Sequence, residues 1–198
     1  MSSSTEGRRV VTWVSVSMDG FTSGPSGPAA DTWLYEHAMQ EGTAEYFEGI
    51  WRGASTALLG RTNYEGWYSV WPGITRDPAT DPRTRDLGRW LDSVEKVVVS
   101  RTLTDAPWEN SRIVRDLEPA VAKLKAEPGR DVLVLNSASV IQALLRADLV
   151  DDVRFAVVPS IVGGGLRLFP EGLPASRWSL VSGAALAHGA VGLHYRRA

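Results

Sequence analysis

Polar turns follow apolar runs at three places in the chain, and this arrangement is typical of ligand-binding turns in α/β proteins. In an open α/β sheet, ligands bind at the carboxyl ends of the strands, and the first N–H groups of a following helix attract anions. The turns therefore predict a site for a phosphate-rich cofactor. They are Leu58-Leu59-Gly60-Arg61-Thr62-Asn63, Val98-Val99-Ser100-Arg101-Thr102 and Val134-Leu135-Asn136-Ser137-Ala138-Ser139.

Two arginines in these turns are candidates for binding a phosphate ester. Arg61 and Arg101 each lie just beyond an apolar run, and a guanidinium group binds a phosphate through paired, charge-assisted hydrogen bonds. Two such groups favour NADP over NAD, because the 2′-phosphate distinguishes the two cofactors. Each turn taken alone is also explained by ordinary turn chemistry, and each arginine by a solvated surface charge. A cofactor site and a purely structural role therefore both stay open at this point.

The elements around these turns predict a mostly parallel sheet. Runs rich in Val and Leu predict strands, and apolar residues at helical spacing predict helices between them. Three Pro residues and alternating charges predict a loop over 71–85. The predicted strands are 10–18, 55–59, 96–100, 132–135, 152–158 and an antiparallel hairpin of 178–185 with 191–196. The predicted helices are 43–52, 64–70, 117–126, 139–147 and one with Asp31 as its N-cap.

Composition excludes several classes of protein. The chain has 198 residues, a formal net charge of -2 and no Cys, which excludes disulfide scaffolds, Cys-ligated metal sites, thiol nucleophiles and Cys-dependent nucleotide deaminases. No Lys/Arg run exceeds two residues, so neither nucleic acid nor a membrane is an expected partner, and the three His are too scattered for a metal site. Without a spanning segment or a signal peptide, we expect a cytoplasmic protein. Residues 1–8 predict a disordered tail, and 9–198 predict a single domain.

Four motifs stand in the order seen in one family. The chain, from about Val10 to Tyr195, resembles the dihydrofolate reductase-like superfamily, and in particular the C-terminal reductase domain of the bacterial bifunctional riboflavin-biosynthesis deaminase-reductase. The resemblance implies a three-layer α/β fold with a mostly parallel central sheet, an antiparallel C-terminal hairpin and helices on both faces. The motifs are Ser15-Val16-Ser17-Met18-Asp19-Gly20-Phe21, Leu59-Gly60-Arg61-Thr62-Asn63-Tyr64-Glu65, Val98-Val99-Ser100-Arg101-Thr102-Leu103 and Pro159-Ser160-Ile161-Val162-Gly163-Gly164-Gly165-Leu166-Arg167-Leu168-Phe169.

The resemblance also implies an activity and a cofactor site. It implies hydride transfer from NADPH to a small heterocyclic or opened-sugar substrate, as in 5-amino-6-(5-phosphoribosylamino)uracil reductase. Asn136 departs from the glycine of the family, and Asn tolerates the left-handed backbone that Gly would adopt. The implied cofactor contacts are Ser15, Val16, Ser17, Gly20, Gly60, Arg61, Thr62, Asn63, Ser100, Arg101, Asn136, Ser137, Ala138, Ser139, Gly163 and Gly165.

Hydride transfer requires mainly geometry and exclusion of water, and an acid or a relayed water must then supply a proton. Asp19 is the first candidate for this catalytic role and Asp31 the second, because dihydrofolate reductases place an Asp and a nearby aromatic residue over the pterin. The alternative roles are that Asp19 only caps a turn and that Asp31 only caps a helix. Trp33 and Arg167 are the candidate substrate contacts.

Glycines and tryptophans add two further expectations. No helix follows Gly163-Gly164-Gly165, so this run is not a dinucleotide fingerprint, and its expected role is close approach of backbone segments near the ligands. Stacking on a planar substrate and core packing explain the tryptophans of the first half equally well. These are Trp13, Trp33, Trp51, Trp67 and Trp71.

Three functions therefore stand as hypotheses. The first is an NADPH-dependent reductase acting on a small molecule, the second a nucleotide-binding module without catalysis, and the third a true dihydrofolate reductase. Because relatives are often homodimers, the apolar hairpin or the Trp-rich surface is a candidate dimer interface.

Overall fold

Runs of aliphatic and β-branched residues form the strands, because such side chains pack well on a sheet that is covered on both faces. The computed structural model describes residues 7–38 and 40–198. In these ranges the strands are β1 (Val10–Ser17), β2 (Phe21–Ser23), β3 (Ala54–Gly60), β4 (Glu95–Val99), β5 (Ser111–Val114), β6 (Asp131–Leu135), β7 (Asp152–Val158), β8 (Leu166–Arg167), β9 (Trp178–Ala185) and β10 (Val191–Arg197). The α-helices are α1 (Thr32–Ala38), α2 (Glu41–Trp51), α3 (Arg61–Arg76), α4 (Pro82–Ser93), α5 (Leu117–Ala126) and α6 (Ala138–Arg146).

One sheet of eight strands has the order β5-β4-β3-β6-β1-β7-β10-β9. The strands from β5 to β7 in this order pair in parallel. β10 pairs antiparallel with β7 and β9. The predicted mostly parallel sheet with an antiparallel C-terminal hairpin is therefore confirmed. β2 and β8 form a separate antiparallel pair that the sequence pattern did not predict.

Helices cover both faces of the sheet, as predicted. Successive side chains of a strand point to opposite faces, so β1 contributes to two cores. Val10 and Val14 pack with α5 and α6, whereas Val11 and Trp13 pack with α2, α3 and α4 on the other face. No helix within the described ranges has both the length and the apolar character needed to cross a membrane.

The predicted loop over 71–85 is wrong. α3 continues through Pro72, and α4 begins at Pro82, a position in the first helical turn where the missing N–H is tolerated. The two helices pack so closely that a Cβ at Gly88 would lie 2.2 Å from the Thr75 Oγ1. Tertiary packing therefore outweighs the local tendency of proline to end a helix.

Arg8 belongs to the fold and not to the predicted tail. Its side chain is buried, and the guanidinium group donates hydrogen bonds to the Arg130 carbonyl at 2.8 Å and to the Thr56 Oγ1 at 2.6 Å. These contacts connect Arg8 to the amino-terminal ends of β3 and β6, so the predicted boundary after residue 8 is wrong. Residues 1–6 lie outside the described residues.

Candidate active site

Ser137 joins the carboxyl ends of β3 and β6. Its Oγ accepts a hydrogen bond from the Gly60 N–H at 2.9 Å and donates one to the Leu135 carbonyl at 2.9 Å. β3 and β6 are neighbours in the sheet, and Leu58 is in register with Val134. Two of the three predicted turns therefore meet at one place, as a common ligand site requires.

Two helices begin at this junction without a side-chain cap. α3 follows Gly60 and α6 follows Ser137, and neither residue caps its helix through a side chain. The Ser137 hydroxyl is occupied between the strands instead. The first N–H groups of both helices and the positive ends of both helix dipoles are therefore directed to the same region, where they favour an anion.

A cavity of about 350 Å³ lies beside both helix starts. Its wall includes the first turns of α3 and α6. It also includes Asn136, whose backbone is left-handed with a φ of 47°, the conformation that Asn tolerates in place of Gly. The predicted site residues that line the cavity are Ser15, Asp31, Thr62, Asn63, Asn136, Ala138 and Ser139.

Aromatic side chains line much of the same cavity. Trp13 and Phe47 stack with ring centroids 5.3 Å apart and ring planes at 15°. Trp67 and Trp71 lie one turn apart on α3, with ring centroids separated by 5.7 Å, and Trp51 also lines the space. Four of the tryptophans that the sequence offered for stacking are therefore brought together.

Asp31 places a buried carboxyl group at the cavity wall. Its Oδ1 accepts hydrogen bonds from the Gly24 N–H at 2.8 Å and from the Trp33 indole N–H at 3.1 Å. Within the described residues its carboxylate accepts no hydrogen bond from a backbone N–H of the first turn of α1, so it does not act as the expected side-chain cap. Trp33 does not line the cavity and instead orients Asp31.

Asp19 holds the loop after β7 and does not line the cavity. Its carboxylate accepts hydrogen bonds from the Ser17 hydroxyl at 2.6 Å, the Gly163 N–H at 2.8 Å and the Val162 N–H at 3.2 Å. The hydrogen bond from Ser17 lowers the pKa of Asp19, so Asp19 carries no proton at neutral pH. Asp31 is the only carboxyl group among the described residues that line the cavity.

The segment 163–167 packs against the residues that follow β1. A Cβ at Gly165, whose φ is +119°, would lie 2.1 Å from the Ser23 carbonyl oxygen. The Arg167 guanidinium lies over the Phe21 ring at 4.4 Å from its centroid. The expected close approach of backbone segments is therefore observed at Gly165, while Gly163 and Gly164 have open space around them. Neither Gly165 nor Arg167 lines the cavity, so their nearness to a ligand stays a prediction.

Three arginines follow neighbouring strands at the edge of the sheet that carries the helix starts. β3, β4 and β5 are paired in parallel register, so the residues after them lie along one edge. Arg115 donates a hydrogen bond to the Ser100 carbonyl at 2.6 Å. The side chains of Arg61 and Arg101 are exposed and have no hydrogen-bond or ion-pair partner among the described residues. Their guanidinium groups are therefore available to a phosphate ester.

The other predicted contacts do not line the cavity, and all of the predicted contacts stay predictions. The Ser100 hydroxyl accepts hydrogen bonds from the N–H groups of Thr102 and Leu103, and the Val16 side chain packs in the core on the opposite face of the sheet. The predicted residues outside the cavity lining are Val16, Ser17, Asp19, Gly20, Trp33, Gly60, Arg61, Ser100, Arg101, Ser137, Gly163, Gly165 and Arg167.

Four residues of interest were missed in the sequence. Thr43 is 3% exposed and lines the cavity, and its Oγ1 has no hydrogen-bond partner among the described residues, which indicates room for a polar ligand atom. Phe47 lies one turn further along α2, so helical spacing was the available signal. Arg83 lies in the stretch wrongly predicted as a loop. Arg115 follows β5, a strand of four residues without a clear pattern.

The sequence pattern described as the RibD C-terminal domain matches residues 8–191. The chain belongs to this family. Two proteins of Bacillus subtilis (strain 168) are similar over nearly the whole chain. The uncharacterized protein YyaP is 27% identical over 195 residues, which cover 98% of this chain and 98% of YyaP. The uncharacterized protein YwjB is 25% identical over 193 residues, which cover 96% of this chain and 99% of YwjB.

Solved structures show the same RibD-like reductase fold. A putative riboflavin biosynthesis protein from Shewanella sp. PV-4 has a TM-score of 0.74 at 20% identity, with 96% of this chain and 99% of that protein covered. A diaminohydroxyphosphoribosylaminopyrimidine deaminase/5-amino-6-(5-phosphoribosylamino)uracil reductase from Thermotoga maritima has a TM-score of 0.64 at 14% identity. The match covers 97% of this chain but 57% of the Thermotoga protein. These likenesses confirm the predicted fold class.

Proposed function

We propose that this member of the RibD C-terminal domain family is a reductase that uses NADPH. The observation that carries the proposal is the pair of uncapped helix starts, those of α3 and α6, at one cavity. A dinucleotide contains two linked phosphates, and two helix N-termini provide two sets of N–H donors with positive dipole ends. Thr62, Asn63, Ala138 and Ser139 are the residues that would hold the pyrophosphate.

Arg61 and Arg101 support NADPH rather than NADH as the cofactor. A 2′-phosphate adds negative charge at the adenosine, and both guanidinium groups lie unpaired, among the described residues, at the edge where α3 begins. Arg115 is held nearby by the Ser100 carbonyl and adds a third positive charge. A guanidinium group that forms two parallel hydrogen bonds to a phosphate recognises its shape and charge, whereas a solvated surface charge does not.

When bound, the nicotinamide supplies a hydride to an electrophilic carbon of the substrate. The chain itself orients the substrate, excludes water and provides a path for a proton. Asp31 receives both of its hydrogen bonds at Oδ1, so Oδ2 is the atom available to a polar group of the substrate or to a water that relays a proton. The aromatic rings of the cavity exclude other water.

Titration with NADPH and NADH, followed by the quenching of Trp emission, tests the proposal. Arg61→Ala is expected to weaken NADPH binding by about 1.5 to 3 kcal/mol, roughly 10- to 150-fold in Kd, the range for a hydrogen bond to a charged group. The same variant is expected to leave NADH binding nearly unchanged. Arg146→Ala is the matched control, because it removes an exposed charge from the last turn of α6, away from the helix start.

Two results would count against these assignments. Equal losses of NADPH and NADH affinity in Arg61→Ala would contradict a 2′-phosphate contact at this residue. Absence of binding for both dinucleotides would contradict the reductase itself.

One observation favours a second candidate, a nucleotide-binding module without catalysis. The first candidate for the proton donor, Asp19, is occupied by three hydrogen-bond donors outside the cavity. NADPH binding without oxidation of NADPH in the presence of the phosphoribosylaminouracil or dihydrofolate would support the module. Dihydrofolate belongs in this panel because Asp31 is bonded to the aromatic Trp33.

We also propose that the chain forms a homodimer through the C-terminal hairpin. β9 is an edge strand, and on it Leu180 is 61% exposed and Val181 48% exposed. Apolar side chains on an unpaired edge favour association with another chain. Sedimentation is expected to show a dimer that Leu180→Asp converts to a monomer and that Val70→Asp, at an exposed position on α3, leaves intact. A monomeric parent protein at micromolar concentration would contradict this proposal.

A further inference from the structure

Two tryptophans of the cavity wall lie away from the start of α3. With a rise of about 1.5 Å per residue, Trp67 lies about 9 Å and Trp71 about 15 Å along α3 from Arg61. Both rings line the cavity, as do the stacked Trp13 and Phe47. We call the space between these four rings the aromatic lobe.

Charges around the aromatic lobe disfavour an anion. Among the described residues that line the whole cavity, Asp31 and Arg83 are the charged ones. Arg83 donates from Nε to Glu48 at 3.0 Å, so its guanidinium group is already paired with a carboxylate. Glu48 is also paired with Arg52 at 2.7 Å, which fixes the carboxylate in place. Because Asp31 is acidic and Arg83 is already paired, neither of these two lining residues provides an unpaired positive charge for a phosphate group.

The start of α4 at this cavity is already occupied by a carboxylate. Arg83 and Thr84 of its first turn line the wall, and Asp81 accepts hydrogen bonds from the Arg83 N–H at 3.2 Å and the Thr84 N–H at 2.8 Å. The side-chain hydrogen bond from Thr84 lowers the pKa of Asp81, so this cap is ionised at neutral pH. The start of α4 therefore differs from those of α3 and α6, because its N–H donors are used and a negative charge stands in front of them.

We propose that the aromatic lobe binds an uncharged, planar ring that carries no phosphate group. Stacking between Trp67 and the Trp13–Phe47 pair holds the ring, while the unpartnered Thr43 hydroxyl and the Asp31 carboxylate bind its polar edge. The inference rests on the proposed function in one respect: a dinucleotide at the helix starts leaves this lobe for the second ligand. A substrate without a phosphate group would distinguish this chain from a reductase that acts on phosphoribosylaminouracil.

Riboflavin and its 5′-phosphate, FMN, form a matched pair of probes for this lobe. They share one uncharged planar ring and differ by a single phosphate. Binding is measured by the anisotropy of flavin emission, with and without saturating NADP⁺, which keeps the FMN phosphate from the helix starts. We expect riboflavin to bind and FMN to bind no more tightly than riboflavin under either condition.

Substitutions on α3 identify where the ring binds. Trp67→Ala is expected to raise the Kd of riboflavin about 5- to 100-fold, the range for loss of one stacking partner. Trp67→Phe keeps an aromatic face and should restore affinity to within about threefold of the parent protein. Val70→Ala, at an exposed position on the same helix that does not line the cavity, should change nothing.

Three outcomes would overturn the inference: FMN binding more than threefold tighter than riboflavin in the presence of NADP⁺, no binding of riboflavin up to its solubility, or unchanged riboflavin affinity in Trp67→Ala. Failure of the proposed function has a different signature. NADPH would then fail to bind, while riboflavin would still bind to the parent protein and Trp67→Ala would still lower the affinity for riboflavin.

Discussion

Replacement of Ser137 by alanine removes the connection between the two strand ends at the candidate site. Ser137 is 2% exposed, and its hydroxyl makes hydrogen bonds of 2.9 Å to the Gly60 N–H and to the Leu135 carbonyl. An unpaired buried donor destabilises a protein by about 1–3 kcal/mol. We therefore expect Ser137→Ala to lower the free energy of unfolding by about 1–3 kcal/mol.

Urea unfolding, followed by Trp emission, measures this effect. With a denaturant slope of about 2 kcal/mol/M, the midpoint should fall by about 0.5–1.5 M. Ser139→Ala is the matched control, because Ser139 is exposed on the first turn of α6 and its loss should change stability by less than about 0.5 kcal/mol. A Ser137→Ala midpoint equal to that of the control would refute the bridging role of Ser137.

Two further predictions concern residues outside the cavity. Burial lowers the pKa of Lys96 to about 8, whereas the unfolded chain keeps this proton up to about pH 10.4. Between these two values the unfolded state binds more protons than the folded state. The parent protein should therefore gain stability relative to Lys96→Met as pH rises from about 8 to 10. Urea unfolding at three pH values measures the difference, and a flat or falling difference would contradict the shifted pKa. Gly165→Ala should destabilise by at least about 2 kcal/mol, from the positive φ and overlap with Ser23, whereas Gly164→Ala, with open space around it, should change stability little. Equal thermal midpoints for the two glycine variants would contradict the predicted loss of stability at Gly165.

Much of the fold follows from local sequence patterns. The apolar run at Val132–Leu135 predicts a strand covered on both faces, and β6 lies at the centre of the sheet with both of its faces buried. The helix predicted over Leu117–Ala126 matches α5. Pro72 misled the prediction for 71–85, because proline disfavours a helix locally while packing of α3 on α4 is decided only in three dimensions.

The candidate site was predictable in part. Convergence of the turns after Leu59 and Leu135 follows from the rule that parallel strands end at one edge of a sheet, and the Ser137 bridge shows it. The roles of Asp19 and Asp31 did not follow, because a turn carboxylate and a cavity carboxylate look alike in sequence. Their partners, residues 162–163 for Asp19 and residues 24 and 33 for Asp31, are set by tertiary structure.

Backbone amide NMR during titration with NADP⁺ shows whether the uncapped starts of α3 and α6 bind the phosphates of one dinucleotide. If they do, the N–H resonances of Thr62, Asn63, Ala138 and Ser139 shift together and saturate at one Kd, while that of Leu180 on β9 stays in place. Saturable binding that leaves those four resonances unmoved, or shifts at only one of the two helices, would contradict it.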